Sequence, residues 1–152
     1  MCGMVNVSEK EDVPRRAEAA GKIFLRKETI RAIEENRVRK GNPIVVAETS
    51  GMLAVKRTWE SIPHCHQIPI TGVDFSFEIK ENYISVRCRV EAIYKTGVEM
   101  EALAGVTNAL LTIWDMVKYL EKDENGNYPE TKITDIVVVS KIKGEKDGLT
   151  GA

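Results

Sequence analysis

The sequence predicts an α+β fold, an antiparallel sheet with helices packed on one face, and three patterns carry that expectation. Val73, Phe75, Phe77 and Ile79 alternate with Asp74, Ser76, Glu78 and Lys80. Ile84, Val86, Cys88, Val90, Ala92 and Tyr94 alternate with Ser85, Arg87, Arg89 and Glu91. Period two in both runs marks half-buried strands, and the short Glu81-Asn82 between them suits a tight antiparallel hairpin. From Gly97 to about Lys122, Leu103, Val106, Leu110, Ile113, Val117 and Leu120 keep one apolar stripe, the mark of a long helix lying on a core.

The remaining elements follow in chain order. Gly21 to Arg26 carries Ile23, Phe24 and Leu25, a short strand signal. Lys27 to Val38 has Ile30 and Ile33 on one face and stops at Lys40-Gly41, which reads as a short helix. Asn42-Pro43 supplies an N-cap and a proline at the first helical position. That second helix is expected to run to about Ile62, with Val55, Trp59 and Ile62 at helical spacing, and Pro63 ends it. A loop closed by proline at both ends, Pro63 to Pro69, leads into the hairpin. After the long helix, Glu121 to Glu130 is rich in Asn, Gly and Asp and reads as a loop. Ile133 to Val139, with four consecutive apolar residues from Ile136, reads as a buried last strand. The order strand, helix, helix, strand, strand, helix, strand is ferredoxin-like.

At 152 residues the chain is expected to form a single domain, 1–152. Gly and charge are dense only in 1–20 and 142–152, so both ends are expected to be mobile. Lys plus Arg is 22 and Asp plus Glu is 23, a formal charge of −1. That balance argues against a general nucleic-acid binder, whose footprint is a basic excess. The longest uncharged apolar-rich stretch, Ala102 to Trp114, falls short of the roughly 20 residues that a membrane helix needs. Met1 to Asn6 leads straight into Glu, Lys and Asp without the pattern of a secretory signal. A cytoplasmic protein is expected. Cys2, Cys65 and Cys88 are odd in number and widely spaced, which suits free thiols.

Chemistry concentrates in few places. Both histidines, His64 and His66, flank Cys65 in the proline-bounded loop, and such loops display reactive groups. A His-x-His pair also suits zinc, but no second Cys or His cluster completes a structural site. Asp115 and Lys118, three apart on the long helix, share a face. They read either as an exposed ion pair or, given Ile113, Trp114, Met116, Val117, Tyr119 and Leu120 around them, as a partly desolvated site with shifted pKa values. Glu99 and Glu101 open the same helix, where the helix dipole alone favours acids. Lys40, Lys56, Arg57 and Lys141 sit near element ends and by themselves read as solvated charges.

Four segments together resemble the cyclic pyranopterin monophosphate synthase family, also called molybdenum cofactor biosynthesis protein C. They are Lys56-Arg57-Thr58-Trp59, Ile62-Pro63-His64-Cys65-His66, Lys95-Thr96-Gly97-Val98-Glu99-Met100-Glu101-Ala102-Leu103 and Ile113-Trp114-Asp115-Met116-Val117-Lys118. The resemblance runs from Met4 to about Lys141. It implies a phosphorus–oxygen lyase reaction in which a cyclised dihydroguanosine triphosphate becomes cyclic pyranopterin monophosphate, with release of pyrophosphate. It implies Asp115 and Lys118 as the catalytic pair, with His64, Cys65, His66, Glu99, Met100, Glu101, Lys40, Lys56 and Lys141 binding substrate. It also implies a homo-oligomer, a hexamer built as a trimer of dimers. Neither a protein-bound cofactor nor a metal site is implied, and Mg²⁺ accompanying the triphosphate is left open.

Residue chemistry agrees with this resemblance: ring rearrangement needs proton transfers, and expelling pyrophosphate needs cations around the phosphates. Two positions depart from the family pattern. Asn6 stands where the family usually has Asp, and Gln67 replaces the proline that usually follows the last loop histidine. The tail Lys141-Ile142-Lys143-Gly144-Glu145-Lys146 approximates the family's Lys and Gly pattern. Three rival readings stay open. One is a ferredoxin-like nucleotide-binding regulatory module without turnover. Another is an RNA-recognition module, disfavoured because Arg87, Arg89 and Glu91 stand where such sheets expose aromatics. The third is a zinc hydrolase built on His64 and His66.

Overall fold

The structure, a computed structural model, describes residues 2–144. Its elements run β1 (Val13–Phe24), α1 (Lys27–Glu34), α2 (Pro43–Lys56), α3 (Thr58–Ser61), β2 (Ile70–Ile79), β3 (Tyr83–Tyr94), α4 (Glu99–Glu121) and β4 (Lys132–Lys143). The strands form one antiparallel sheet in the order β2-β3-β1-β4. Helices cover one face of it, the ferredoxin-like arrangement that the sequence predicts. Val86, Cys88 and Val90 of β3 and Val106, Leu110, Ile113 and Val117 of α4 are fully buried between the layers. No helix among the described residues is long and apolar enough to cross a membrane.

The first strand begins at Val13, eight residues before the expected start at Gly21, and takes in part of the segment expected to be mobile. Its inward positions are Ala17, Ala19, Gly21 and Ile23, separated by Glu18, Ala20 and Lys22. Small residues give little strand signal, yet α4 requires them: a Cβ on Gly21 would lie 2.9 Å from both Leu110 and Val106. Close approach of helix and strand therefore hides the strand's alternation from a reading based on large apolar residues.

β4 corrects a second expectation. It is an edge strand, and Ile136, Val137, Val138 and Val139 are 37–50% exposed in this chain rather than buried. The register against β1 shifts twice, between Glu18 and Ala19 and between Ala20 and Lys22, and Asp135 has φ of 56°. Each shift places an extra β4 residue opposite β1, so inward and outward positions do not alternate simply along 134–140. The apolar run is a half-exposed edge of the sheet in this chain, not a strand buried on both faces. Ile142 and Lys143, also expected to be mobile, belong to β4. Residues 145–152, including Lys146, lie outside the described residues.

The expected second helix is divided. α2 ends at Lys56, Arg57 adopts φ −111° and ψ 15°, and α3 follows as a single turn. The buried Thr58 hydroxyl donates to the Ala54 and Val55 carbonyls at 2.8 and 3.1 Å, holding the turn against the end of α2. Val55 is buried as expected, but Trp59 and Ile62 are 38% and 42% exposed. α2 lies on α4 where Gly105 faces Val55 and Cys88; a Cβ there would come 2.8 Å from Val55. Ser50, Asn108 and Thr112 hydrogen-bond across the same contact.

Buried Glu121, at the end of α4, accepts hydrogen bonds from the Arg26 N–H at 3.1 Å, the Thr131 hydroxyl at 2.7 Å and the Thr29 hydroxyl. One carboxylate thus fixes the start of α1 and the approach to β4 against the long helix. Burying this charge is tolerable because each contact satisfies an oxygen that water would otherwise hold.

Candidate active site

Near the C-terminal end of α4, Asp115 lies between two lysines. Lys118 Nζ is 2.9 Å from Oδ1, one helical turn along. Lys40 Nζ, from the loop between α1 and α2, is 3.1 Å from Oδ2 and 3.2 Å from the Asp115 carbonyl oxygen. The apolar residues flanking this cluster in sequence do not bury it. Ile113, Met116 and Val117 turn inward, whereas the Asp115 and Lys118 side chains are 58% and 42% exposed. Pairing sets their proton affinities. Hydrogen bonds from Lys118 and then Lys40 hold the Asp115 carboxyl below the usual range, and the bond to Asp115 raises Lys118. Both groups are ionised at neutral pH: a carboxylate held between two lysines whose ammonium groups can also hold anionic oxygens.

The N-terminal end of α4 is built differently. Glu101 is 3% exposed, and burial pushes its carboxyl up to about 7, opposed by a hydrogen bond from its own backbone and reinforced by the charge of Glu99. Lys141, on β4, reaches Glu99 Oε1 at 3.2 Å. Met100 between them is 44% exposed. The Cys65 thiol is raised by burial and then by the nearby Glu101 charge, so the thiol form dominates at neutral pH. His66 Nε2 lies 2.7 Å from the Val5 carbonyl oxygen, and His64 is exposed. Lys56 is exposed at the end of α2, with no ion pair to another described residue.

The structure therefore gathers the sequence-predicted residues into two groups. Lys40, Asp115 and Lys118 form one; Cys65, Glu99, Glu101 and Lys141 form the other, with the loop histidines beside Cys65. Fourteen residues separate Glu101 from Asp115, about 21 Å along the helix axis. One chain does not bring the groups together.

The N-terminal segment adds surroundings that sequence reasoning missed. Met4 to Ser8 line a cleft of about 390 Å³ with His66, Tyr94 and Lys95. Lys95 Nζ holds the Lys10 carbonyl at 2.8 Å, and Asn6 Oδ1 accepts the Ser8 N–H at 2.9 Å. Its charged composition suggested a mobile end, and only the family resemblance beginning at Met4 marked it. A separate cleft of about 410 Å³ between Lys27, Asn82 and Lys132 contains none of the predicted site residues. Among the described residues no three His, Cys, Asp or Glu side chains are grouped to hold a metal ion.

The MoaC family profile matches residues 4–144, from the N-terminal segment to the end of β4. The chain belongs to the MoaC family. Its sequence is 59% identical over 143 residues to a protein of Pyrococcus furiosus named probable cyclic pyranopterin monophosphate synthase, covering 94% of this chain and 92% of that one. Proteins with the same name from Thermoplasma volcanium and Methanosarcina mazei are 54% and 56% identical. These alignments cover 94% and 93% of this chain and 95% and 90% of theirs. As a MoaC family member, the chain carries both clusters, the histidine loop and Lys141 within the matched span.

Proposed function

We propose that this chain is a cyclic pyranopterin monophosphate synthase of molybdenum cofactor biosynthesis. It converts a cyclised dihydroguanosine triphosphate into cyclic pyranopterin monophosphate and pyrophosphate. The observation that carries the reading is the Lys40–Asp115–Lys118 cluster, in a chain closely similar to proteins named for that activity. Asp115 takes the proton from a substrate hydroxyl as its oxygen bonds to the α-phosphorus; the bond to the β-phosphate oxygen breaks and pyrophosphate leaves. Lys118 and Lys40 hold the charge that develops on the phosphate oxygens. Ring opening and re-closure need a group that both gives and accepts protons near neutrality, and Glu101, pushed up to about 7, suits that task. Glu99, Met100, His64, Cys65 and His66 line the pterin end, while Lys56 and Lys141 contribute positive charge to the substrate site.

Because the two clusters lie at opposite ends of α4, the site is shared between subunits. The Glu99–Glu101 end of one protomer meets the Asp115 face of its neighbour, and a two-fold axis makes two such sites per dimer. Three dimers form the hexamer. The function is tested by adding the cyclised triphosphate and measuring pyrophosphate and cyclic pyranopterin monophosphate. Product in stoichiometric amounts with pyrophosphate supports the reading; triphosphate binding without turnover supports the regulatory-module alternative and overturns it.

A further inference from the structure

Lys40 reaches Asp115 from a loop, and loop lysines on flexible stems do not hold a fixed place without help. The loop is shaped locally by Asn36, at φ 55°, and Gly41, at φ 116°. The Arg37 N–H donates to the Ala32 carbonyl at 2.8 Å, and the Gly41 N–H donates to Val38 at 3.1 Å. These bonds fold the loop on itself but do not attach its outer end to α4. That attachment is made by Tyr119. Its Oη accepts the Arg39 N–H at 2.7 Å, and the Arg39 guanidinium lies over the same ring, 4.6 Å from its centre. Tyr119 is one turn beyond Asp115 and adjacent to Lys118, and Arg39 is adjacent to Lys40.

We propose that Tyr119 is a positioning residue: by holding the Arg39 backbone, its hydroxyl places the Lys40 ammonium on Asp115. The proposal rests on the reading of Asp115 as catalytic for its kinetic consequence, but not for its structural one. The charged groups facing Asp115 are Lys118 on its own helix and Lys40 from the loop. Loosening Lys40 leaves Lys118 as the remaining cation and weakens the hold on the carboxylate. The ring contact to Arg39 has a lesser part, because it fixes a side chain rather than the backbone that carries Lys40.

The test is a double-mutant cycle with two independent readouts. Tyr119→Phe keeps the ring and its packing but removes the acceptor for the Arg39 N–H. We expect kcat/KM to fall about two- to fivefold, the scale of one exposed ion pair, and Tyr119→Phe to add nothing in a Lys40→Met background. Independently of turnover, the Asp115 carboxyl-carbon resonance titrates about 0.2–0.5 pH unit higher in Tyr119→Phe than in the parent. In the Lys40→Met background the same change does not move it. Arg39→Ala, which retains the backbone N–H, leaves the titration near the parent value. Equal Tyr119→Phe shifts with and without Lys40, or no shift in either background, overturn the proposal. A parent without turnover refutes the functional reading while the carboxyl titration still decides the role of Tyr119. If Lys40→Met abolishes turnover, the titration decides alone.

Discussion

At its N-terminal end α4 holds Glu101 away from water, and about four turns later it leaves Asp115 exposed between two ammonium groups. Burial makes the first carboxyl reluctant to ionise; pairing makes the second reluctant to accept a proton. The difference teaches that one helix can supply acid–base groups of opposite character without unusual residues, by placing one under the histidine loop and the other beneath a lysine-bearing loop. It also assigns different needs to the ends. Glu101 is already desolvated by its own chain, whereas the Asp115 cluster gains a low-dielectric setting only when substrate or a neighbouring subunit covers it.

The comparison breaks most visibly at the exposed end. Asp115→Asn and Lys118→Ala are expected to lower turnover of the cyclised triphosphate by about 10²–10⁴-fold while circular dichroism shows a folded chain. Near-parent turnover by either variant removes it from the catalytic role. Complementation joins the two ends: when the impaired Asp115→Asn and Glu101→Gln proteins exchange subunits, activity should rise above that of either alone toward about a quarter of the parent rate, since mixed dimers hold one intact site. No recovery after proven exchange refutes the shared site.

Substitution at the buried end has a smaller effect, with a distinctive pH signature. Glu101→Gln should reduce turnover by about tenfold or more and remove the inflection near pH 7 expected in the parent's rate profile. Stability provides a second readout. A carboxyl with a folded pKa raised to about 7 binds more protons folded than unfolded between about 4.5 and 7. The parent therefore loses stability as pH rises through that window, and Glu101→Gln flattens the slope. An unchanged slope in urea titrations contradicts the buried-acid assignment. The smallest effect belongs to Asn6. Its Oδ1 already accepts the Ser8 N–H, a contact that aspartate can make equally well, so Asn6→Asp should leave turnover within about twofold or raise it. A sharp loss would show that the cleft beside His66 depends on a neutral group.

The parts of the molecule legible in the sequence are those where one chemical pattern meets one environment. Large apolar residues at period two revealed β2 and β3, and the stripe from Leu103 to Leu120 revealed α4 because each packs one face on a single core. β1 escaped because close packing against α4 requires Ala17, Ala19 and Gly21, which have little apolar surface to detect. β4 is visible as a strand, but an apolar run does not say where in the sheet it lies, and at the edge Ile136 to Val139 stay half-exposed. The break at Arg57 is set by Thr58 turning its hydroxyl onto α2, which periodicity does not record. At the site, the segments that resemble the family singled out Asp115, Lys118 and the histidine loop as candidates. Helical spacing also set Glu101 and Asp115 apart along α4, but nothing in the sequence shows that Val5 lies on His66 or that Tyr119 holds Arg39, since these depend on contacts between distant segments.

The last turn of α4 holds α1 at both its approaches: Glu121 receives the Arg26 N–H before the helix begins, and Tyr119 receives the Arg39 N–H beyond its end. The segment between those amides is thus tied to one turn of α4 at two points. Full release of the arm requires both contacts to break, so the exchange protection of the Arg26 and Arg39 amides reads out the two ties separately. One end of α4 thereby carries both a buried carboxylate that anchors the start of the arm and the exposed carboxylate that the arm's lysine reaches.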